Sequence, residues 1–232
     1  MEKSPYPMRI NKYLALKKYC TRRDADALIE KGKVFINGRR AVLGDKISEN
    51  DVVDVKFRQK KFTYIAFNKP RGVITHSPQE DEDSIADVFP LKDVFPVGRL
   101  DKDSYGLIIL TNDGRIVDPL LNPDSSHEKE YEVTCLSKLP ANFKKNMERG
   151  VDIGGYVTRP CYLTILGNRR FSILLTEGKK HQIRRMCGAF GQSAIDLKRT
   201  RILNISLGDL RTGEHREITG NELQVFLKTL GM

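Results

Sequence analysis

The sequence has few of the residues that build metal centres and disulfide frameworks. Its four cysteines, Cys20, Cys135, Cys161 and Cys187, are widely spaced and form no C-x-x-C pair. Its four histidines are equally scattered along the chain. Because a structural zinc site usually needs closely spaced cysteine and histidine ligands, we expect reduced thiols and no structural metal.

Long apolar runs, internal repeats and an N-terminal secretion signal are also missing from the sequence. A membrane-spanning helix needs about 20 apolar residues, and a secretion signal would direct the chain to an oxidising compartment. The 232 residues are 39% hydrophobic, enough for one ordinary domain plus a small one. We therefore expect a folded cytoplasmic protein with no membrane partner, and a monomer by default.

Positive charge is abundant and unevenly distributed. The chain carries 40 Lys and Arg residues against 30 Asp and Glu, a net charge of +10. Residues 1–61 account for +8 of this charge, whereas residues 62–232 contribute only +2. Solvated lysines explain the charge of many basic proteins, but this asymmetry favours a nucleic-acid-binding module attached to a nearly neutral second unit.

The first quarter of the chain predicts two short helices followed by a hairpin. Apolar residues follow helical spacing from Ile10, and Thr21 with Asp24 forms the pattern of a capping box before a second helix. The pair Asn37-Gly38 is typical of a tight hairpin turn between short strands. We expect the surrounding cations to contact the nucleic acid: Arg9, Lys12, Arg22, Arg23, Arg39 and Arg40.

Arg22 and Arg23 fall in the first turn of the predicted second helix. The helix dipole disfavours cations there unless an anion bridges the helix terminus and the side chains. On the residues alone, a bound phosphate and ordinary solvation explain these charges equally well.

The polar, basic segment 56–61 predicts a linker between domains at 1–58 and 62–232. In the second domain, strand patterns alternate irregularly with helices, which favours an α+β fold with a mixed or antiparallel sheet over regular βαβ winding. The predicted strands are 64–67, 73–75, 107–110, 131–136, 162–166, 171–175, 194–197 and 202–207. The predicted helices are 116–121, 141–149, 181–190 and 221–230.

Asp101 is the candidate catalytic residue. It stands between Arg99 and Lys102, shortly before an apolar strand. A carboxylate that acts on a polyanion needs cations to admit the substrate and a rigid element to hold it. The alternative interpretation is an ordinary turn residue.

Tyr131 and Arg184 are the other candidates for a shared cleft. Tyr131 begins a predicted strand, and Arg184 lies in the helical segment that follows Gly178. Taken alone, a half-buried strand aromatic and a solvated helix face are the commoner roles of such residues.

Several motifs together resemble the RsuA/RluB/RluF branch of the rRNA pseudouridine synthases, and the match covers essentially the whole chain. The motifs are Lys69-Pro70-Arg71-Gly72, then Arg99-Leu100-Asp101 with Ser104 and Gly106-Leu107, and finally His181-Gln182-Ile183-Arg184-Arg185-Met186. His127-Glu128-Lys129-Glu130-Tyr131 and Arg199-Thr200-Arg201-Ile202 are most similar to the RluF group, which acts on large-subunit rRNA. The first quarter resembles the αL RNA-binding domain of a small-subunit ribosomal protein.

This resemblance implies an enzyme that isomerises a uridine of structured RNA, most of all large-subunit rRNA and alternatively tRNA, without a cofactor. Asp101 would act as nucleophile at the anomeric carbon or as base at the adjacent ribose carbon. Arg184 would keep that carboxylate ionised, and Tyr131 would receive the flipped base. The resemblance further implies RNA contacts by Arg99, Lys69 and Arg71, and a hydrophobic uracil wall at Leu175.

Two rival interpretations stay open at this point. A non-catalytic RNA-binding or ribosome-assembly protein would also need a charge-rich first domain. A nuclease that binds metal through Asp101 and Asp103 would need further ligands, of which the sequence offers no obvious set.

Overall fold

A computed structural model describes residues 6–56, 61–90 and 93–232 of the chain. The chain divides into two compact units, Met1–Phe62 together with Met232, and Thr63–Gly231. Most of the predicted linker, residues 57–60, lies outside the described residues. The two units are therefore described separately.

The first unit contains two helices and short strands. Its strands are β1 (Met8–Arg9), β2 (Val34–Ile36), β3 (Arg39–Arg40), β4 (Lys46–Ile47) and β5 (Val53–Val55), and its helices are α1 (Ile10–Leu16) and α2 (Arg22–Glu30). Strand β2 pairs with both β3 and β5, and β1 pairs with β4.

Local sequence signals determine the boundaries of these elements. The Thr21 hydroxyl accepts a hydrogen bond from the Asp24 amide at 3.1 Å, which caps α2 as predicted. Asn37 and Gly38 both have positive φ angles, 50° and 80°, and close the predicted hairpin between β2 and β3. Buried Ile10, Leu14 and neighbouring apolar residues form a separate small core.

The second unit is built on one mixed sheet. Its strands are β6 (Tyr64–Lys69), β7 (Phe95–Val97), β8 (Tyr105–Thr111), β9 (Lys129–Cys135), β10 (Tyr162–Gly167), β11 (Arg170–Leu175), β12 (Ala194–Ile202), β13 (Ile205–Ser206) and β14 (His215–Glu217). The described sheet runs in the order β10-β11-β9-β12-β8-β6-β14, with β13 beside β12 and β7 beside β8. The predicted α+β class is therefore confirmed.

Helices cover both halves of this sheet. They are α3 (Ile85–Val88), α4 (Val117–Leu121), α5 (Phe143–Glu148), α6 (Gln182–Gly188) and α7 (Gly220–Thr229), with 3-10 turns at Gly114–Ile116 and Pro123–Ser125. One buried cluster joins β9, β11, α5 and α6, and another joins β6, β8 and α3.

Strands β8 and β12 are the parallel neighbours in this otherwise antiparallel arrangement. Their pairing brings Gly106 opposite Arg199. Gly106 has φ +107°, and a Cβ atom there would lie 2.3 Å from the Arg199 carbonyl oxygen. Only glycine allows this close approach without displacing a backbone.

The structure differs from the sequence prediction at three places. Residues 194–202 form one continuous strand, where the sequence predicted two strands at 194–197 and 202–207. The segment 73–75 contributes only an isolated bridge at Ile74, so the predicted strand there was wrong. The short elements α3, β7 and β14 were not predicted, because a proline lies in β7 and β14 consists of polar residues.

None of the described helices is long and apolar enough to cross a membrane. The four cysteines are free thiols; Cys135 and Cys187 are buried, whereas Cys20 and Cys161 are half-buried.

Replacing Gly106 by alanine tests the close approach of β8 and β12. We expect Gly106→Ala to lower the free energy of unfolding by roughly 3 kcal/mol, since the added methyl group would collide with the backbone of β12. Gly213 also has a positive φ, +81°, but nothing lies within 4 Å of a Cβ built there. Gly213→Ala is therefore the matched control, with an expected loss of about 1 kcal/mol. Equal losses in urea unfolding of the two variants would contradict the predicted collision.

Candidate active site

Asp101 lies in the loop 98–104, which joins β7 to β8. Thr75 holds this loop from the side: its hydroxyl donates to the Leu100 carbonyl at 2.8 Å and accepts from the Leu100 amide at 3.0 Å. The Gly72 amide donates to the Lys102 carbonyl at 2.8 Å. The turn at 69–72 and the segment after it therefore fix the backbone around Asp101.

The loop borders a cavity of about 970 Å³ inside the second unit. Among the residues that line it are the predicted Asp101, Tyr131, Arg99 and Leu175, so the structure brings these four together. The volume is at the upper end of the range for sites that enclose a small organic ligand.

The carboxylate of Asp101 is partly accessible, with 36% of its side chain exposed. Its Oδ2 atom lies 3.6 Å from Nδ1 of His181. His181 directly precedes α6 and has a left-handed backbone, φ +52°. Non-glycine residues rarely adopt this conformation, and those that do concentrate at functional sites.

A buried network positions the start of α6 beside the cavity. Glu177 is buried, and its carboxylate accepts hydrogen bonds from the Tyr156 hydroxyl at 2.5 Å and the Gln182 amide group at 2.8 Å. Gln182 in turn accepts from the Lys179 amide at 2.9 Å. These bonds fix the segment that carries His181.

Arg199 on β12 is a cavity-lining residue that the sequence prediction missed. Only 4% of it is exposed, and its Nε donates to the Leu107 carbonyl at 2.6 Å. Its Nη1 donates to the Arg99 carbonyl at 3.4 Å, and Cζ lies 6.0 Å from the centroid of the Tyr131 ring. Among the described residues, its buried Nη2 has no hydrogen-bond partner. Arg199 thus ties the loop of Asp101 to the sheet and keeps one donor available.

Arg184 occupies a different place. Its Nη1 donates to the Ala194 carbonyl at 2.5 Å, and its Nη2 donates to the Asp103 carbonyl at 3.3 Å. These contacts join α6 to β12 and to the backbone of the Asp101 loop. The pairing of Arg184 with the Asp101 carboxylate stays a prediction, and Arg199 becomes a second candidate for it.

Lys69 adds a buried positive charge close to Arg199 and Asp101. Lys69 is fully buried, and its Nζ donates to the carbonyls of Pro70 at 2.8 Å and Val73 at 2.6 Å. Burial lowers its pKa to about 8, as does the nearby charge of Arg199. Lys69 therefore supports the turn at 69–72, and in this structure its ammonium is not accessible to RNA.

The remaining predicted RNA contacts have exposed side chains. Arg71 bonds to Asp196, which also accepts from the Tyr105 hydroxyl at 3.0 Å, and Arg71 covers the Tyr105 ring at 5.3 Å. In the first unit all six predicted contacts are exposed: Arg9, Lys12, Arg22, Arg23, Arg39 and Arg40. Arg39 pairs with Asp45 at 2.8 Å. The functions of these residues as RNA contacts stay predictions.

Within the part of the chain that is described, no three His, Cys, Asp or Glu side chains are grouped so that they could hold a metal ion. The groups available for chemistry at the cavity are a carboxylate, an aromatic hydroxyl, an imidazole and buried cations. This set can perform acid–base or nucleophilic chemistry on a ligand that carries or develops negative charge.

Comparisons with known proteins match both units. Residues 63–189 match the family model of RNA pseudouridylate synthases, and residues 8–53 match that of the S4 domain. The chain is 44% identical over 222 residues to the dual-specificity RNA pseudouridine synthase RluF of Salmonella typhi, covering 93% of this chain and 77% of that protein. It is 33% identical over 231 residues to the ribosomal large subunit pseudouridine synthase B of Bacillus subtilis, covering 93% and 94%. A crystal structure of a pseudouridylate synthase matches with a TM-score of 0.69 at 28% identity, covering 96% of this chain and 99% of that one.

The buried charge of Lys69 predicts how stability depends on pH. In the unfolded chain its pKa returns to 10.5, whereas in the folded protein it is about 8. Between these values the unfolded chain binds more protons, so the free energy of unfolding should rise with pH across this window. We expect Lys69→Met to reduce that rise in urea unfolding measured from pH 8 to 10.5. Lys145→Met, which removes an exposed lysine, is the control; a Lys69→Met curve parallel to the wild type would contradict this origin.

Proposed function

The chain belongs to the RNA pseudouridylate synthase family, and on that premise we propose that Asp101 is its catalytic residue and large-subunit rRNA its principal substrate. The family reaction isomerises uridine within RNA: the bond from ribose to N1 of the base breaks, and the base rejoins through C5. The first unit is an S4 RNA-binding domain, which accounts for the concentration of positive charge there.

The observation that carries the assignment is the position of Asp101 on the rim of the cavity, with its backbone braced on two sides. The described carboxylates that line the cavity are Glu82, Asp101 and Glu177. Glu82 accepts a hydrogen bond from Lys102 at 2.7 Å, and Glu177 already accepts hydrogen bonds within its buried network. Asp101 retains a partly accessible carboxylate that can reach a ribose. As nucleophile it would attack the anomeric carbon, and as base it would take the proton of the adjacent ribose carbon.

Tyr131 is proposed to stack on the base after it leaves the RNA. It is buried on β9 with its ring facing Arg199, and it lines the same cavity as Asp101. Stacking on an aromatic ring offsets part of the few kcal/mol that unstacking the base costs. Leu175 lies on β11 opposite Lys129 of β9, and it would form an apolar wall beside the base.

The large-subunit rRNA target is supported by the names of the relatives. One is named for the large ribosomal subunit, and another is described as having dual specificity. We extend these names to this chain as a proposal, with tRNA as the candidate for a second substrate. A cytoplasmic location, where these RNAs are found, accompanies the proposal.

Mapping pseudouridine in rRNA and tRNA from cells with and without this gene tests both parts of the proposal. We expect at least one large-subunit site to disappear on deletion and to return with the wild-type gene or with Asp103→Ala, whose exposed side chain lies two residues away. Asp101→Ala should fail to restore it, since Asp103, the other carboxylate of the loop, is not among the described residues that line the cavity.

Two outcomes would contradict these assignments separately. If no site in either RNA class disappears, the proposed substrates are wrong. If Asp101→Ala restores the mark, the catalytic assignment is wrong, whereas the substrate assignment stands.

A matched pair of variants compares Arg199 and Arg184 as the cation that serves Asp101. Arg199 lines the cavity and bonds to the Arg99 carbonyl of the Asp101 loop, and its buried Nη2 has no partner among the described residues. We expect Arg199→Gln to lower the single-turnover rate about 100-fold. Arg184→Gln should lower the rate only about tenfold, because Arg184 is not among the described residues that line the cavity.

Circular dichroism and RNA affinity serve as controls that both variants fold. A larger loss of rate in Arg184→Gln than in Arg199→Gln would favour the pairing of Arg184 with Asp101 that the sequence predicted.

A further inference from the structure

Lys129 is a cation of the cavity to which the proposed chemistry assigns no role. It begins β9, two residues before Tyr131, so both side chains project from the same face of the strand, roughly 7 Å apart. Both line the cavity. The sheet partners of Lys129 are Leu175 on β11 and Ile202 on β12, which also line the cavity and carry no charge.

The ammonium of Lys129 has no strong partner in the described part of the chain. Its Nζ donates to the His127 carbonyl at 3.2 Å, and no described carboxylate lies within the 4.0 Å of an ion pair. Burial lowers its pKa to about 8, and the positive charge of Arg199 acts in the same direction. The group still carries its proton in most molecules at neutral pH.

This arrangement is costly for the free protein. A charge that is withdrawn from water costs free energy unless an opposite charge compensates it. The buried cations, Arg199 and Lys69, each donate two hydrogen bonds to carbonyl groups, whereas the half-buried Lys129 has one long bond and two further N–H groups. A ligand that becomes negative in the cavity would supply the missing compensation.

The isomerisation produces such a ligand. When the bond between the anomeric carbon and N1 breaks, its electron pair stays on the base, whether Asp101 attacks that carbon or removes the neighbouring proton. The detached uracil is therefore an anion, and its charge spreads over N1 and the two carbonyl oxygens. Its charge is lost when C5 forms the new bond to the anomeric carbon: Asp101 then leaves that carbon as a carboxylate, or returns its proton to the adjacent ribose carbon in the glycal course. The C5 proton is afterwards removed and N1 takes up a proton, which gives neutral pseudouridine.

We infer that Lys129 is a further catalytic residue, whose ammonium donates a hydrogen bond to the detached uracil anion while the base stacks on Tyr131. The inference rests on the proposed function, since it assumes that the base occupies this cavity. It also assigns separate tasks to the two nearby cations: Arg199 acts on the loop of Asp101, and Lys129 acts on the base. A fixed cation at the point where charge develops stabilises the transition state more than the bound substrate.

The test compares two leaving groups in single turnovers with saturating enzyme. The substrates are transcripts of the RNA segment that the mapping experiment identifies, made with uridine or with 5-fluorouridine, and the readout is consumption of the target nucleoside by mass spectrometry. Fluorine makes the uracil anion less basic, so its departure should depend less on Lys129. We expect Lys129→Met to lower the rate about 100-fold with uridine but only about tenfold with 5-fluorouridine. Lys129→Arg, which keeps a cation, should recover most of the loss.

Folding and binding are controlled separately. Lys129→Gln keeps a donor for the His127 carbonyl and tests the charge alone should the methionine variant fail to fold. Lys138→Met removes an exposed lysine beyond the end of the same strand and should leave rates and RNA affinity unchanged.

Each other result overturns the inference. Equal losses with the two substrates would mean that Lys129 only supports the strand, and an unchanged rate would mean that its charge is not used. Failure of Lys129→Arg to recover activity would exclude a role for the charge. If wild-type enzyme converts uridine and Asp101→Ala does not, these outcomes concern Lys129 alone; if wild type is inactive, the proposed function fails first.

Discussion

The buried guanidinium of Arg199 is the interaction on which the site depends. It reaches from β12 to the carbonyl of Leu107 on β8 and to that of Arg99 in the loop of Asp101. This reach is possible because Gly106 has no side chain and allows the two parallel strands to approach. The loop that carries the candidate catalytic carboxylate is therefore tied to the same sheet that carries Tyr131. Pre-organisation of this kind is what a loop-borne catalyst needs.

The charges of the second unit explain why its nearly neutral composition does not imply a neutral site. Its acidic residues lie largely on the surface or in local pairs, such as Glu82 with Lys102 and Asp196 with Arg71. Arg199 and Lys69, by contrast, are buried, and Lys129 is half-buried in the wall of the cavity. Desolvated cations act over short distances with little screening. On the proposed function, the S4 domain would attract RNA broadly, and the cavity would stabilise negative charge locally. These are two different uses of the same kind of residue.

The sequence predicted those elements whose signals are local. Asn37-Gly38 specified its hairpin because few other residue pairs tolerate two positive φ angles, and Thr21 specified a helix start because its hydroxyl satisfies a free amide. Arg199 was missed for the opposite reason: its burial comes from strands that are distant in sequence. A signal was nevertheless present, because Leu197 and Arg199 continue the period of two that marks one face of a strand. The same burial makes Lys69 a support of its turn, although its motif had suggested an RNA contact.

The walls of the cavity also affect how a detached base can rotate. Isomerisation requires uracil to rotate between leaving ribose through N1 and returning through C5, so strong directional bonds to the base would hinder the reaction. Leu175 and Ile202 offer apolar surface, and an ammonium presents three equivalent donors on a flexible stem. A cation of this type can follow the anion as it turns, whereas a rigid guanidinium committed to two carbonyls cannot. The flexible charge of Lys129 therefore suits the rotation of the detached base, and the rigid charge of Arg199 suits the positioning of the Asp101 loop.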